Sequence, residues 1–192
     1  MQPIVTESLP TSRAATLERL GRARARTLAL VEPLAEDALN RVHDPLMSPI
    51  VWDLGHIATF EDLWVAQNGF GKPPLREGLG QIYDPSVAPR SERGELPYLR
   101  SEDCAAYMTA VRERTLELLE SGAEPLLGNF VYELILRHEQ QHSETILQTI
   151  QISGEAYRPH GARAIASAAV IRRSAMLVML VPSLFDVPHS SA

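Results

Sequence analysis

The sequence predicts an all-α fold, a four-helix bundle with a long loop between its second and third helices and an irregular C-terminal tail. Three observations predict it. Apolar residues recur at helical spacing in four separate segments, no segment alternates apolar and polar residues as a half-buried strand does, and capping or breaking residues bound the segments. With 192 residues, 45% of them apolar and 22% charged, the chain can bury a core of domain size.

Each element has its own signal. Leu17, Leu20, Leu28 and Val31 mark a first helix over residues 12–32, with Ser12 or Thr11 as N-cap. A short helical piece near Glu36 to Val42 follows Pro33, and His43-Asp44-Pro45 breaks the chain. Ser48-Pro49 then reads as N-cap plus first-turn proline of a second helix running to about Gln67, closed by Asn68-Gly69. Residues 68–100 carry Gly and Pro with little periodicity, a loop longer than the usual limit of about 15 residues and of a kind that is functional or disordered. Ser101-Glu102-Asp103 opens a third helix, with a stripe of Met108, Val111, Leu118 and Leu119, which Gly122 ends. After Pro125 a fourth helix runs from roughly Leu126 to Ile152, long enough at about 1.5 Å per residue to cross a small domain. These elements place a metal-binding bundle in residues 1–152 and a divergent, poorly structured tail in residues 153–192. The tail holds Arg158, Arg163, Arg172 and Arg173 against Glu155 and Asp186, so its charge opposes that of the bundle.

The net charge of -6 argues against nucleic acid and against an anionic membrane surface. Cys104 is the only cysteine, which excludes an internal disulfide and thiolate metal sites and fits a cytoplasmic protein. The N-terminal residues resemble no signal peptide, and the longest apolar run, Ala175 to Val181, falls far short of the roughly 20 residues of a membrane span.

The chemistry is concentrated in the fourth helix. His138-Glu139-Gln140-Gln141-His142 puts two imidazoles four residues apart on one helical face, near enough to share a metal ion. Val131, Leu134, Ile135, Thr145 and Thr149 fall on the same stripe, so the histidines interrupt an otherwise core-like face. Exposed histidines, or a satisfied core pair, are the alternative. A third ligand is expected from Trp52-Asp53-Leu54-Gly55-His56-Ile57-Ala58, where Trp52 and Phe60 flank His56 on its own face and Gly55 leaves room for close approach. Three neutral nitrogen donors leave coordination positions open, as in a site that binds substrate or dioxygen. Asp53 and Glu144 are candidate acceptors for a ligand imidazole's free N–H, which the sequence does not place. Cys104 reads as a packing residue in the first turn of the third helix, although a helix N-terminus lowers a thiol pKa. His138-Glu139-x-x-His142 also spells the zinc-protease pattern with Glu139 as base, but Thr145 and Gln148 stand where one such family continues with Gly and His.

Ser48 to Ala58 together with His138-Glu139-Gln140-Gln141-His142-Ser143-Glu144-Thr145 resembles the DinB-like N-terminal domain of the ergothioneine-biosynthesis sulfoxide synthases, over about residues 12–159. The resemblance implies a mononuclear nonhaem iron(II) bound by His56, His138 and His142, with Zn(II) or another divalent ion as alternative. It implies dioxygen-dependent carbon–sulfur bond formation between a thiol, γ-glutamylcysteine or cysteine, and hercynine. It also makes Arg90 and Arg93 of Pro89-Arg90-Ser91-Glu92-Arg93 candidate clamps for the thiol's carboxylates. Family members continue after a Tyr-Arg-Pro-like junction into a domain related to the formylglycine-generating enzyme. After Tyr157-Arg158-Pro159 this chain has about 33 residues of Ala-rich tail instead, a pattern that reads as truncation or a shifted frame and calls for a partner chain to supply the missing half. Two other readings stay open: a stand-alone DinB-like thiol-dependent transferase or isomerase using a divalent ion, and a non-catalytic metal-binding remnant.

Overall fold

The Ser12 hydroxyl accepts a hydrogen bond from the Ala15 backbone N–H at 3.2 Å, the expected N-cap, and helix α1 follows over Arg13–Val31. The computed structural model describes residues 12–154. Its further α-helices are α2 (Glu36–Asn40), α3 (Ile50–Glu61), α4 (Leu79–Ile82), α5 (Ser101–Glu120) and α6 (Phe130–Ser153), and no strand occurs among the described residues. Apart from Ser153 and Gly154, the expected tail lies outside the described residues.

Four local expectations are corrected. Pro49, not Ser48, occupies the N-cap of α3, with no side-chain cap; the Ser48 hydroxyl is buried and accepts from Arg93 Nη1 at 2.8 Å. Ser101 lies inside α5 after an uncapped Arg100, and its hydroxyl accepts from Asn40 Nδ2 at 3.1 Å. The last helix starts at Phe130, because the Gly128 N–H bonds the Pro125 carbonyl at 2.8 Å and Gly128 takes a φ of 68° that continues no helix. The second long helix also changes character: from Asp62 to Gly69 it winds as a π-helix. Such wide turns are rare and recur at functional sites. Here the turn begins where Glu61 and Asp62, both buried, meet different cations, Asp62 bonding Arg114 at 2.9 Å while Glu61 bonds Arg24 and Arg112.

The loop between the second and third long helices is ordered, with α4 and a 3₁₀ turn at Arg90–Glu95, and it buries Leu79, Tyr83, Ala88, Tyr98 and Leu99. The long helices close a ring: α1 packs on α6 and α5, and α3 packs on α5 and α6. Two apolar clusters fill it. One gathers Ile50, Trp52, Ile57, Met108 and Ile146 with the loop, and the other gathers Leu20, Val65, Leu119, Val131 and Ile135. Each large side chain so buried stabilises by about 1.5–3 kcal/mol.

At the boundary of the clusters lies a charge quartet with one member from each long helix. Arg24 of α1 bonds Glu61 at 2.9 Å and Glu139 at 2.8 Å, and Arg112 of α5 bonds Glu61 at 2.8 Å and Glu139 at 2.6 Å. The guanidiniums also donate to the carbonyls of Met108 and Leu20, one in each cluster. All four residues are buried, and their charges cancel. Burial raises the Glu61 pKa, but Arg112 and Arg24 outweigh it and hold the carboxyl below its ordinary value.

Candidate metal centre

His56 projects from the middle of α3, while His138 and His142 project from adjacent turns of α6 toward it. One nitrogen from each of the three comes within 4.8 Å of the others. The Nε2 atoms of His56 and His138 are 3.1 Å apart, and the ring centres of His142 lie 4.6 Å from those of both other histidines.

Two ring orientations are set by acceptors. The Nδ1 of His56 lies 2.7 Å from the Tyr83 carbonyl, which only accepts, so Nδ1 carries the proton and Nε2 presents a lone pair. The Nδ1 of His142 lies 3.2 Å from Asp53 Oδ1, a carboxylate oxygen that accepts, so this Nδ1 carries a proton as well. Asp53 is thus the acid that meets a histidine, whereas Glu144 is exposed and faces Arg26 at 3.5 Å. The second oxygen of Asp53 is buried without a hydrogen-bond partner among the described residues.

The surroundings disfavour charge on His56 and His138. Burial, with His142 beside it, depresses the His56 pKa to about 4. Burial and then the two neighbouring histidines push His138 far below its ordinary value. Aromatic rings wall the cluster: Trp52 stacks on His56 at 5.2 Å, and Phe60 stacks on His138 at 3.6 Å with planes 10° and 8° apart, respectively. Gly55 is needed here, because a Cβ would lie 2.2 Å from the Tyr83 ring. The close approach it permits is that of the loop rather than of another helix.

The α6 face differs from the expected stripe. Its buried line runs through Ile135, Leu136, Glu139, Ser143, Ile146 and Ile150, and the two histidines are half-buried at its edge. Glu139 points into the core with both oxygens engaged by Arg24 and Arg112, so it has no free lone pair directed at a water beside the histidines. The zinc-protease role fails on that geometry.

A profile of the DinB superfamily matches residues 19–146, which carry all three histidines, the whole of α3 and α5 and most of α1 and α6. The chain belongs to the DinB superfamily. It is also similar to three curated proteins named hercynine oxygenase: 36% identical over 188 residues to that of Mycolicibacterium thermoresistibile, 40% over 144 to that of Mycolicibacterium smegmatis, and 44% over 140 to that of Mycobacterium tuberculosis. These matches cover 93, 73 and 69% of this chain and 41, 33 and 31% of the respective relatives. The chain therefore spans well under half the length of the relatives it matches.

The remaining expected residues of this DinB chain are placed as follows. Arg93 is buried; its Nε donates to the Ala88 carbonyl at 2.9 Å, and its guanidinium lies 3.8 Å over the Trp52 ring, one ring removed from His56. Arg90 is exposed and donates to the Leu46 carbonyl at 2.9 Å. Cys104 is fully buried, and burial pushes its thiol up to about 12, overriding the helix N-terminus. His43 bonds the Ala38 carbonyl at 2.7 Å, away from the cluster in sequence and contacts, while His160 and His189 lie outside the described residues. No helix among the described residues is long and apolar enough to cross a membrane. The sequence reading missed the quartet and the Tyr83 carbonyl. The first is recorded only as ordinary helix charges, and the second is a group every residue carries.

Proposed function

We propose that the chain is the metal-binding part of a nonhaem iron(II)-dependent sulfoxide synthase of ergothioneine biosynthesis, which uses dioxygen to join the sulfur of γ-glutamylcysteine or cysteine to the imidazole of hercynine. The observation that carries the reading is the convergence of three imidazoles in a DinB bundle whose curated relatives are named hercynine oxygenase.

The donor set fits a metal. Two nitrogens sharing one ion at about 2.1 Å each stand roughly 3.0–3.4 Å apart, and His56 and His138 offer theirs at 3.1 Å. His56, His138 and His142 hold the ion on this reading, and three protein ligands leave positions for substrate. Iron(II) bound there supplies the one-electron chemistry that couples dioxygen to carbon–sulfur bond formation.

The other residues position and exclude. The Tyr83 carbonyl and Asp53 hold the protons of His56 and His142 on Nδ1, away from the metal side. Trp52 and Phe60 fix two ring planes and keep water off them. Arg90 and Arg93 are assigned to the carboxylates of the thiol, since a planar guanidinium matches a carboxylate. Hercynine is assigned to groups supplied by a partner chain or segment equivalent to the rest of the relatives' length.

The test is a reaction of the full chain, loaded anaerobically with Fe(II), with hercynine, γ-glutamylcysteine and then air, followed by mass spectrometry. Cysteine replaces γ-glutamylcysteine in a parallel reaction. Each is run alone and with the remaining part of the M. thermoresistibile relative added in trans. The reading predicts the carbon–sulfur-linked sulfoxide with Fe(II) and none with Zn(II). Absence of product in every arm, or product that persists in His138→Ala, contradicts it.

A further inference from the structure

On the side of α6 that faces α1, the bundle opens a cleft of about 720 Å³ lined by residues of α1, the α5–α6 turn and the first two turns of α6. None of the three clustered histidines lines it. Its volume lies within the range of small-molecule sites.

Three independent features of the cleft favour an anion. Arg13 lines it with no carboxylate partner among the described residues, whereas the other arginines of the cleft, Arg19 and Arg137, both hold Glu133, at 2.7 and 2.8 Å. The 24-residue helix α6 begins here behind Asn129 with no side-chain cap, so the positive end of its dipole lies at the cleft, although the Val131 and Tyr132 N–H groups are taken by the Gly128 and Asn129 carbonyls at 3.3 Å. The third feature is Tyr132. The residue lines the cleft, is 3% exposed, and its hydroxyl has no hydrogen-bond partner among the described residues. Arg13 and Tyr132 line the same cleft, and the guanidinium is close enough to act on the phenol electrostatically. A buried hydroxyl without a partner costs stability and calls for a ligand atom. Leu20, Leu119 and Leu136 supply an apolar wall, and Phe130, 63% exposed, stands at the rim.

We propose that this cleft is a second ligand site, separate from the histidine cluster, for a small monocarboxylate with an apolar or aromatic body, its carboxylate held by Arg13 and the Tyr132 hydroxyl.

Benzoate is the probe, and benzyl alcohol its uncharged counterpart, each titrated into the full chain and followed by ligand-observed saturation-transfer NMR. The proposal predicts benzoate binding that weakens at least about tenfold in Arg13→Gln and in Tyr132→Phe, since each loses a charge-assisted contact. Benzyl alcohol binds no better than benzoate does in those variants. Tyr132→Phe melts no lower than the parent, because it removes an unpartnered hydroxyl, so lost binding there reports the ligand contact and not a lost fold. His56→Ala binds benzoate as the parent does, which separates this site from the histidines. Equal benzoate affinity in the parent and both cleft variants, absence of binding at millimolar benzoate, or loss of binding in His56→Ala overturns the proposal.

Discussion

The Nε2 atoms of His56 and His138 approach to 3.1 Å although the residues stand 82 positions apart on different helices. The contact needs two devices that are not themselves ligands. On α3, the Tyr83 carbonyl takes the proton of His56 Nδ1. For His138 of α6, Phe60 of α3 covers the ring at 3.6 Å. The site is therefore built by the loop and the π-helical segment's neighbours as much as by the histidines.

Asp53→Ala removes the acceptor of His142 Nδ1 and frees that ring to turn or change tautomer. Competition titration with a chromophoric chelator is expected to show metal affinity lowered by about 10–100-fold, the usual cost of losing an acceptor behind a ligand histidine. An unchanged affinity would mean that Asp53 does not orient the ligand.

Gly55→Ala puts a Cβ 2.2 Å from the Tyr83 ring, so the loop must move and the Tyr83 carbonyl with it. Both thermal stability and metal affinity fall. Gly21→Ala is the contrasting case: the position is exposed in the interior of α1 with nothing within 4 Å of the new methyl, and the substitution stabilises by about 0.5–1 kcal/mol in urea unfolding.

Glu139→Ala leaves the guanidiniums of Arg24 and Arg112 buried with half their countercharge. A loss of about 3–5 kcal/mol in urea unfolding is expected, larger than for any exposed ion pair of the chain. The quartet also sets an acid limit. The Glu61 carboxyl lies lower in the fold than in the unfolded chain, so its stabilisation is complete above the ordinary carboxylate range near pH ~4.3 and is lost as the pH falls below it. The urea midpoint of Glu61→Gln should therefore change less between pH 5 and pH 3 than that of the parent.

Cys104 is fully buried with its thiol pKa pushed up to about 12, so the reactive thiolate is scarce at neutral pH and shielded. Iodoacetamide labelling at pH 8, followed by intact mass, is expected only at the rate of unfolding and to become rapid in denaturant. Fast stoichiometric labelling of the native chain would contradict the packing of α5 on α3.

Much of this was legible in particular residues. The four-residue spacing of His138 and His142 placed both on one face, and Trp52 and Phe60 on either side of His56 told which way it points. Ser12 marked the start of α1 because its hydroxyl takes the local N–H of Ala15 and meets no competing partner among the described residues. Ser48 and Ser101 carried the same signal and failed, since Arg93 and Asn40 claim their hydroxyls through contacts distant in sequence. Glu139 was opaque for a similar reason: its partner Arg24 is 115 residues away and looks like one of several arginines on a helix surface. The Tyr83 carbonyl leaves no mark in a sequence at all.

The most direct measurement is an anaerobic titration of the full chain with Fe(II) and with Zn(II), by calorimetry and elemental analysis, in the parent, His56→Ala and His138→Ala. One tight equivalent in the parent that disappears in both variants, with helix content by circular dichroism nearly unchanged, is the predicted result. Equal stoichiometry in parent and variants, or no binding in the parent, would contradict the three-histidine centre on which the functional reading stands.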